Sequence, residues 1–244
     1  MFQRPFRAPH HSSSAVALVG GGSNPKPGEI SLANNGILFL DELSEYDRGV
    51  LEVLREPLES GKILISRANK YAEYPACFQL IAAMNPCPCG YLWSQIKACK
   101  DTPTQIQRYQ SKLSGPLLDR IDLHIKVHEL AKGVLSDKSL QGEKSLVVKN
   151  RVKVAREKQL SRQNCTNNLL TVTQLDQYCV LSDKSTHLLE SAMTKLRLSS
   201  RSYHKIIKVA RTIADLDQAD SIDIRHVTEA LSYRKGDRYM QNTK

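Results

Sequence analysis

Gly36-Ile37-Leu38-Phe39-Leu40-Asp41-Glu42 is an unbroken apolar run that closes in two acids. A continuous run of this length reads as a strand buried on both faces, the pattern of a parallel sheet. Phe78-Gln79-Leu80-Ile81-Ala82-Ala83-Met84 gives a second strand of the same kind, ending at Asn85-Pro86. Between them the period changes. Val50, Leu51, Leu54 and Leu58 fall at helical spacing, Pro57 bends or ends that helix near Glu56, and Gly61 stops it. Residues 63–66 and 71–74 flank Arg67-Ala68-Asn69-Lys70 and predict a hairpin.

Working outward, the first 35 residues are rich in turn formers. Gly20-Gly21-Gly22-Ser23-Asn24-Pro25-Lys26-Pro27-Gly28 excludes a regular element, and the apolar pieces 15–19 and 29–33 around it suggest a hairpin-like loop. Downstream, Thr102-Pro103 opens a helix with a cap residue and Pro at its first position. Residues 121–127 alternate polar and apolar like a strand. After Glu143 the chain reads as helical. A long basic helix is expected over 143–163, and shorter ones over about 171–179, 182–196, 200–216 and 223–234. Thr171, Ser182 and Asp223 are candidate N-caps. The expected organisation is an α/β part over residues 1–130, a linking helix or insert over 131–165, and an all-α domain over 166–244.

Hydrophobic residues make up 41% and charged residues 25% of the 244, as in a soluble globular protein. No apolar run is long enough for a membrane span, and the start lacks the apolar centre of a signal peptide. The six cysteines are too sparse for a disulfide-stapled secreted fold, so a reducing cytoplasm is expected. Thirty-five Lys and Arg against 25 Asp and Glu leave a formal charge of +10, a field that attracts a polyanion such as DNA or marks a basic but indifferent surface.

Nucleotide hydrolysis requires a carboxylate for the magnesium ion that bridges the phosphates, and a group to activate or orient the attacking water. Adjacent acids at the carboxyl end of a strand can supply both, because ligands of open α/β sheets bind there. Asp41 and Glu42 have this placement; the alternative is that Asp41 caps the next helix. Asn85, at the end of the second strand, either hydrogen-bonds the water and terminal phosphate or forms a turn before Pro86. Cys87-Pro88-Cys89-Gly90 with Cys99-Lys100-Asp101 has the look of a metal knuckle, since Cys87, Cys89, Cys99 and Asp101 would suit a tetrahedral zinc. Inert thiols steadying the loop beside Asn85 are the other reading. His10-His11 lacks partners for a metal pair or a nucleophile-base dyad, which leaves contact with backbone or a neighbouring subunit. The helix carrying Arg151, Lys153, Arg156 and Lys158 reads as a solvated face or a linker to the following helical domain.

Together these segments resemble the AAA+ ATPases, in the magnesium-chelatase-related branch that includes the ComM/YifB competence proteins. The likeness runs from about Pro5 to Arg234. It is carried by Arg4-Pro5-Phe6-Arg7-Ala8-Pro9-His10-His11, Pro27-Gly28-Glu29-Ile30-Ser31-Leu32-Ala33, the Asp41-Glu42 strand and Asn85-Pro86-Cys87-Pro88-Cys89-Gly90. Further on it is carried by Ser114-Gly115-Pro116-Leu117-Leu118-Asp119-Arg120-Ile121-Asp122 and Val209-Ala210-Arg211-Thr212-Ile213-Ala214-Asp215-Leu216. The resemblance implies an AAA+ parallel sheet with helices, incomplete at its start, followed by a helical lid. It makes Asp41 the magnesium ligand and Glu42 the water-activating acid of a Walker B strand, and puts Asn85 at sensor 1. Arg120 becomes the arginine finger that reaches a neighbouring subunit's ATP, and Arg201 becomes sensor 2. Residues 19–29 match the family's helix-2 insertion and residues 63–74 its pre-sensor hairpin. These loops line the pore in related motors, so Lys26, Arg67, Lys70 and Tyr71 become candidate DNA contacts; the other reading is polar residues that only keep the turns soluble. The family often has a fourth cysteine where Asp101 stands.

No Gly-x-x-x-x-Gly-Lys-Ser/Thr phosphate loop occurs in the 244 residues; Gly61-Lys62 is followed by Ile63. In the family this loop lies upstream of the matching segment, so the chain is expected to lack one central strand and its helix and to hydrolyse no ATP alone. The implied function is part of an ATP- and Mg2+-dependent ring, a hexamer by family, that remodels single-stranded or branched DNA as a branch-migration helicase in natural transformation. The alternatives are a magnesium-chelatase-like motor subunit acting on a protein partner, and a catalytically dead ring-interaction module.

Overall fold

The computed structural model describes residues 3–67, 70–130 and 142–234. The chain divides between Ile121 and Asp122 into two compact units. The first begins with strand β1 (Phe6–Arg7) and helix α1 (Ala15–Val19), whose N-cap Ser14 accepts a hydrogen bond from the Ala17 amide. A tight hairpin of β2 (Gly20–Gly21) and β3 (Lys26–Pro27) follows, then α2 (Glu29–Leu32). The segments expected as flanks of a loop are therefore short helices around a true hairpin, because Leu18 and Ile30 are drawn fully into the core. Glycine is required at the base of this hairpin. A Cβ on Gly20 would lie 2.2 Å from the Lys26 carbonyl oxygen, and one on Gly28 would lie 2.3 Å from that of Leu18.

Strand β4 (Ile37–Leu40) leads through a 3-10 turn into α3 (Arg48–Glu52) and α4 (Pro57–Ser60). Helix α3 stops at Glu52, earlier than the expected end near Glu56; Pro57 opens α4, where its missing N–H costs nothing, and Gly61 closes α4 in the left-handed conformation. The predicted hairpin is present as β5 (Lys62–Arg67) and β6 (Lys70–Pro75), paired antiparallel from Lys62↔Pro75 to Arg67↔Lys70. Strand β7 (Gln79–Ala82), a long irregular loop, α5 (Pro103–Gln110) and α6 (Gly115–Leu118) complete the unit. As expected, Thr102 caps α5, and it does so with a reciprocal capping box to Gln105.

The sheet is parallel, in the order β1-β4-β7, with Leu38 opposite Leu80 and Leu40 opposite Ala82. Its Leu38 and Leu40 face is sealed by a core that includes Leu18, Ile30, Leu51, Leu54 and Leu117. The opposite face is not sealed. Phe6 is 62% exposed and Ile81 40%, although Phe6 stacks on Phe39. The apolar runs predicted strands covered on both sides; β4 is half-buried on its second face, and β7 is largely exposed. Among the described residues no strand pairs with the outer edge of β7 and no layer covers this face, which is why the apolar run reads as buried while its side chains are not.

The second unit is helical: α7 (Ser145–Gln163), α8 (Val172–Tyr178), α9 (Asp183–Leu196), α10 (Ser200–Leu216) and α11 (Ile224–Ser232). Thr171 and Ser182 accept the expected capping hydrogen bonds from the Gln174 and Ser185 amides. The alternating segment 121–127 forms no strand. The His124 amide bonds the Tyr233 carbonyl, while Ile125 and Val127 stay exposed. Of the linking region, 131–141 lies outside the described residues, and α7 packs within the helical unit. There Arg162 grips Asp215 with both terminal nitrogens at 2.6 and 3.0 Å, and Lys158 reaches Asp220 at 2.9 Å. The architecture is that of an incomplete AAA+ α/β domain and a helical lid. Among the described residues no helix is long and apolar enough to cross a membrane.

Asp215 is fully buried and also pairs with Arg211 at 3.0 Å and Asn167 at 2.9 Å. Burial pushes its carboxyl up, but Arg162, Asn167 and Arg211 pull it down further, so it stays below the ordinary carboxylate range. Its stabilisation is therefore complete above the unfolded value of about 3.9 and is lost as pH falls through the lower folded value. Asp215→Ala strands two guanidinium groups and is expected to cost about 3–5 kcal/mol. Lys158→Ala, which removes a pair with the fully exposed Asp220 and donations to the Gln218 and Ala219 carbonyls, should cost clearly less than Asp215→Ala. Urea unfolding followed by circular dichroism separates the two; equal losses would show that the buried network contributes nothing special.

Candidate active site and its neighbouring loops

Parallel pairing makes one edge of the sheet the carboxyl end of all three strands, and the candidate acids lie there. Pairing continues past the strands proper: the Ala83 amide bonds the Leu40 carbonyl, and the Leu43 amide bonds the Ala83 carbonyl. Asp41 and Glu42 thus turn away beside Ala83, and Asn85 follows two residues later on the neighbouring strand end. All three are exposed. The turn is tight. Glu42 is left-handed at φ 49°, and its amide donates to Asp41 Oδ1 at 2.9 Å.

The segment after β1 reaches the same edge. Tyr46, fully buried, donates its hydroxyl to the Pro9 carbonyl at 2.7 Å and so ties this segment to the turn after the acids. His11 then meets Glu42, Nδ1 to Oε2 at 2.9 Å. The sequence suggests backbone or a neighbouring subunit as the partner of the histidine pair; the structure gives His10 Nδ1 the Ser12 amide at 3.3 Å, as expected, and gives His11 the Glu42 carboxylate. Since neither residue's spacing announces the other, only the parallel β1–β4 pairing could have revealed the contact. Arg7, on β1, grips Glu29 with two nitrogens at 2.6 and 2.7 Å and holds its carboxyl below the usual range.

The other candidate nucleotide residues are carried by helices or follow them. Arg120 follows α6; its guanidinium pairs with Glu59 of α4 and donates to the Pro116 carbonyl at 2.7 Å, which leaves the side chain 11% exposed. Arg201 is exposed in the first turn of α10, in the helical unit. The two candidate DNA loops do meet. Lys70 Nζ lies 3.1 Å from Asn24 Oδ1, and the Tyr74 hydroxyl donates to the Pro25 carbonyl at 2.8 Å. Lys26 is exposed on β3, and Tyr71 is 64% exposed on β6. Arg67 ends β5, and its side chain lies outside the described residues.

Beyond Asn85 the chain gathers Cys87, Cys89, Cys99 and Asp101, whose ligand atoms all lie within 4.8 Å of one another. The three sulfurs are 3.4 to 3.7 Å apart, and all three cysteines are free. Burial, then hydrogen bonding to Asp101, pushes the Cys87 thiol up to about 12. The Cys89 side chain, then its amide, holds the Asp101 carboxyl below the ordinary range. This donor set is compatible with a metal.

Comparison with known proteins identifies the family. Residues 1–135 match the family model for magnesium chelatase, subunit ChlI, and residues 142–234 match the model for its C-terminal region. The chain is 52% identical over 239 residues to competence protein ComM of Haemophilus influenzae, covering 98% of this chain and 47% of that protein. It is 50% identical over 238 residues to the uncharacterized protein YifB of Escherichia coli, again covering 98% of this chain and 47% of the relative. A magnesium-chelatase 38 kDa subunit of Chlorobaculum parvum is 29% identical over 121 residues, 48% of this chain and 29% of that subunit. The chain spans about half the length of the ComM and YifB relatives it matches. It belongs to the magnesium-chelatase-related AAA+ family, in the ComM/YifB branch.

Proposed function

We propose that this chain is part of a ring-forming, ATP-hydrolysing AAA+ motor that remodels DNA in competence. The observation that supports this reading most directly is the pair of exposed carboxylates and one exposed amide at adjoining ends of parallel strands. That donor set fits Mg2+ and nucleotide: Asp41 is the metal-holding oxygen ligand and Glu42 the acid next to it. When bound, magnesium neutralises charge that develops on the phosphates. Glu42 accepts a proton from, or orients, the attacking water, and its contact with His11 holds the carboxylate at a fixed place on the strand edge. Asn85 offers an amide to the same water or to a terminal phosphate oxygen. The phosphate cradle itself comes from outside these 244 residues, and the unpaired edge of β7 with its bare face suits a sheet that accepts a further strand.

With Mg2+ and ATP, the chain alone is expected to turn over no nucleotide; turnover that Glu42→Gln abolishes would overturn this. Joined in frame behind the phosphate-loop segment of a ComM relative, it is expected to hydrolyse ATP. There Glu42→Gln should slow hydrolysis about 10²- to 10⁴-fold with nucleotide binding retained. A rate unchanged by the substitution would remove Glu42 from the reaction.

The DNA reading is supported by the formal charge of +10 and by the two joined hairpins that present Lys26, Lys70 and Tyr71. Lysines at such positions meet phosphates, and the tyrosine offers a face for base stacking, worth about 1–3 kcal/mol per base. Binding to a fluorescent single strand is expected to weaken steeply with salt. Tyr71→Ala should lower affinity about five- to 150-fold, and Lys26→Ala with Lys70→Ala should flatten the salt dependence. Salt-insensitive binding, or affinity indifferent to all three changes, favours the second reading, a chelatase-like motor whose loops engage a protein; the match to a chelatase subunit favours that one specifically.

A further inference from the structure

We infer that Cys87, Cys89, Cys99 and Asp101 hold one zinc ion, and that this ion fixes the loop that presents Asn85. The three sulfurs form a nearly even triangle with sides of 3.5, 3.7 and 3.4 Å. Zinc bound at about 2.3 Å to each sulfur in a tetrahedron requires sulfur separations of about 3.8 Å, so the triangle needs almost no change to receive it. Asp101 supplies the fourth corner, its Oδ2 lying 3.7 Å from Cys99 Sγ. The same oxygen accepts the Cys89 amide at 2.9 Å, an outer contact that aims the carboxylate. A disulfide would join two of the thiols and leave the third with the carboxylate, which gives no reason for all four to converge. Inert packing explains the sulfurs but not the acid. Thiolates exclude magnesium and calcium, the carboxylate disfavours copper(I), and an iron–sulfur cluster would call for a fourth cysteine.

The loop needs such a tie. Between Ala82 and Pro103 lies no helix or strand, and an irregular stretch of this length is uncommon inside a folded domain without a binding role or a clamp. Its two ends are already fixed. Gln110, buried on α5, donates to the Pro86 carbonyl at 2.9 Å, and Thr102 caps α5 immediately after Asp101. The metal closes the remaining span, with Cys87 only two residues from Asn85. The metal site stands on its own geometry; only its value for positioning Asn85 rests on the nucleotide reading, and failure of that role would leave the metal readouts unchanged.

The test is the metal content of the chain purified under reducing conditions, followed by titration of the stripped protein with cobalt(II). About one zinc per chain is expected. Cobalt should give the visible bands of a tetrahedral site together with thiolate charge-transfer absorption. Cys99→Ser should lower zinc affinity by more than about tenfold, the smallest loss typical even of an outer-shell partner. Asp101→Cys should keep the site and bind zinc more tightly, which guards against reading a misfolded variant as a lost ligand. Absence of zinc and of a cobalt spectrum, or full affinity in Cys99→Ser, would overturn the site. Chelation should raise hydrogen exchange across residues 83–101 and leave α10 unchanged; exchange in this loop that is indifferent to metal would overturn the positioning half.

Discussion

The register of β4 against β7 is the constraint on which the candidate site depends. Because Leu40 lies opposite Ala82 in a parallel pair, both strands deliver their last residues to one edge. Shifting a strand by one residue would send its whole apolar set to the other face. Here such a slip would expose Leu38 and Leu40, both fully buried, so the core that excludes water also fixes where Asp41, Glu42 and Asn85 emerge. The placement of these candidate residues is a by-product of a packing decision made in the middle of the strand.

How much of this was legible in the sequence differs by element. Two of the helices after Glu143 were readable because they carry their own punctuation: Thr171 and Ser182 cap their helices as expected. The Pro57 break and the Thr102 cap were readable for the same local reason. What local pattern could not supply was burial. An apolar run says that a strand seeks cover but not that cover is present, so β7 was expected inside and lies largely exposed. Residues 121–127 show the converse, alternation that forms no strand. In the site, Asp41, Glu42 and Asn85 could be picked out by type and strand position, whereas His11 could not. Its contact with Glu42 joins residues 31 positions apart and exists only once β1 lies beside β4.

Two ion pairs show the same dependence on context. Arg120 and Arg162 are each folded back on an acid of their own unit, Glu59 and Asp215 respectively. Asp215 falls in a segment that carried the family resemblance, and its visible work is structural: it neutralises two guanidinium groups within the helical unit. A matching motif therefore does not mark a catalytic group by itself. The partner, burial and neighbouring strand decide which acids hold the fold and which face outward to react.

The bare face of the sheet follows from the same reasoning. In a parallel sheet both faces are ordinarily covered by helices, because the crossover between parallel strands places one there. Phe6 and Ile81 are exposed on the face opposite Leu38, and the outer edge of β7 carries backbone donors and acceptors with no strand beside them among the described residues. A strand added at that edge would lie next to the one bearing Asn85, and its crossover helix would cover Ile81. In an α/β nucleotide fold a strand–loop–helix unit of that kind is also what cradles phosphate. One addition would therefore satisfy the apolar face, the open edge and the missing anion site together, and that economy ties the physics of this sheet to the chemistry proposed for its rim.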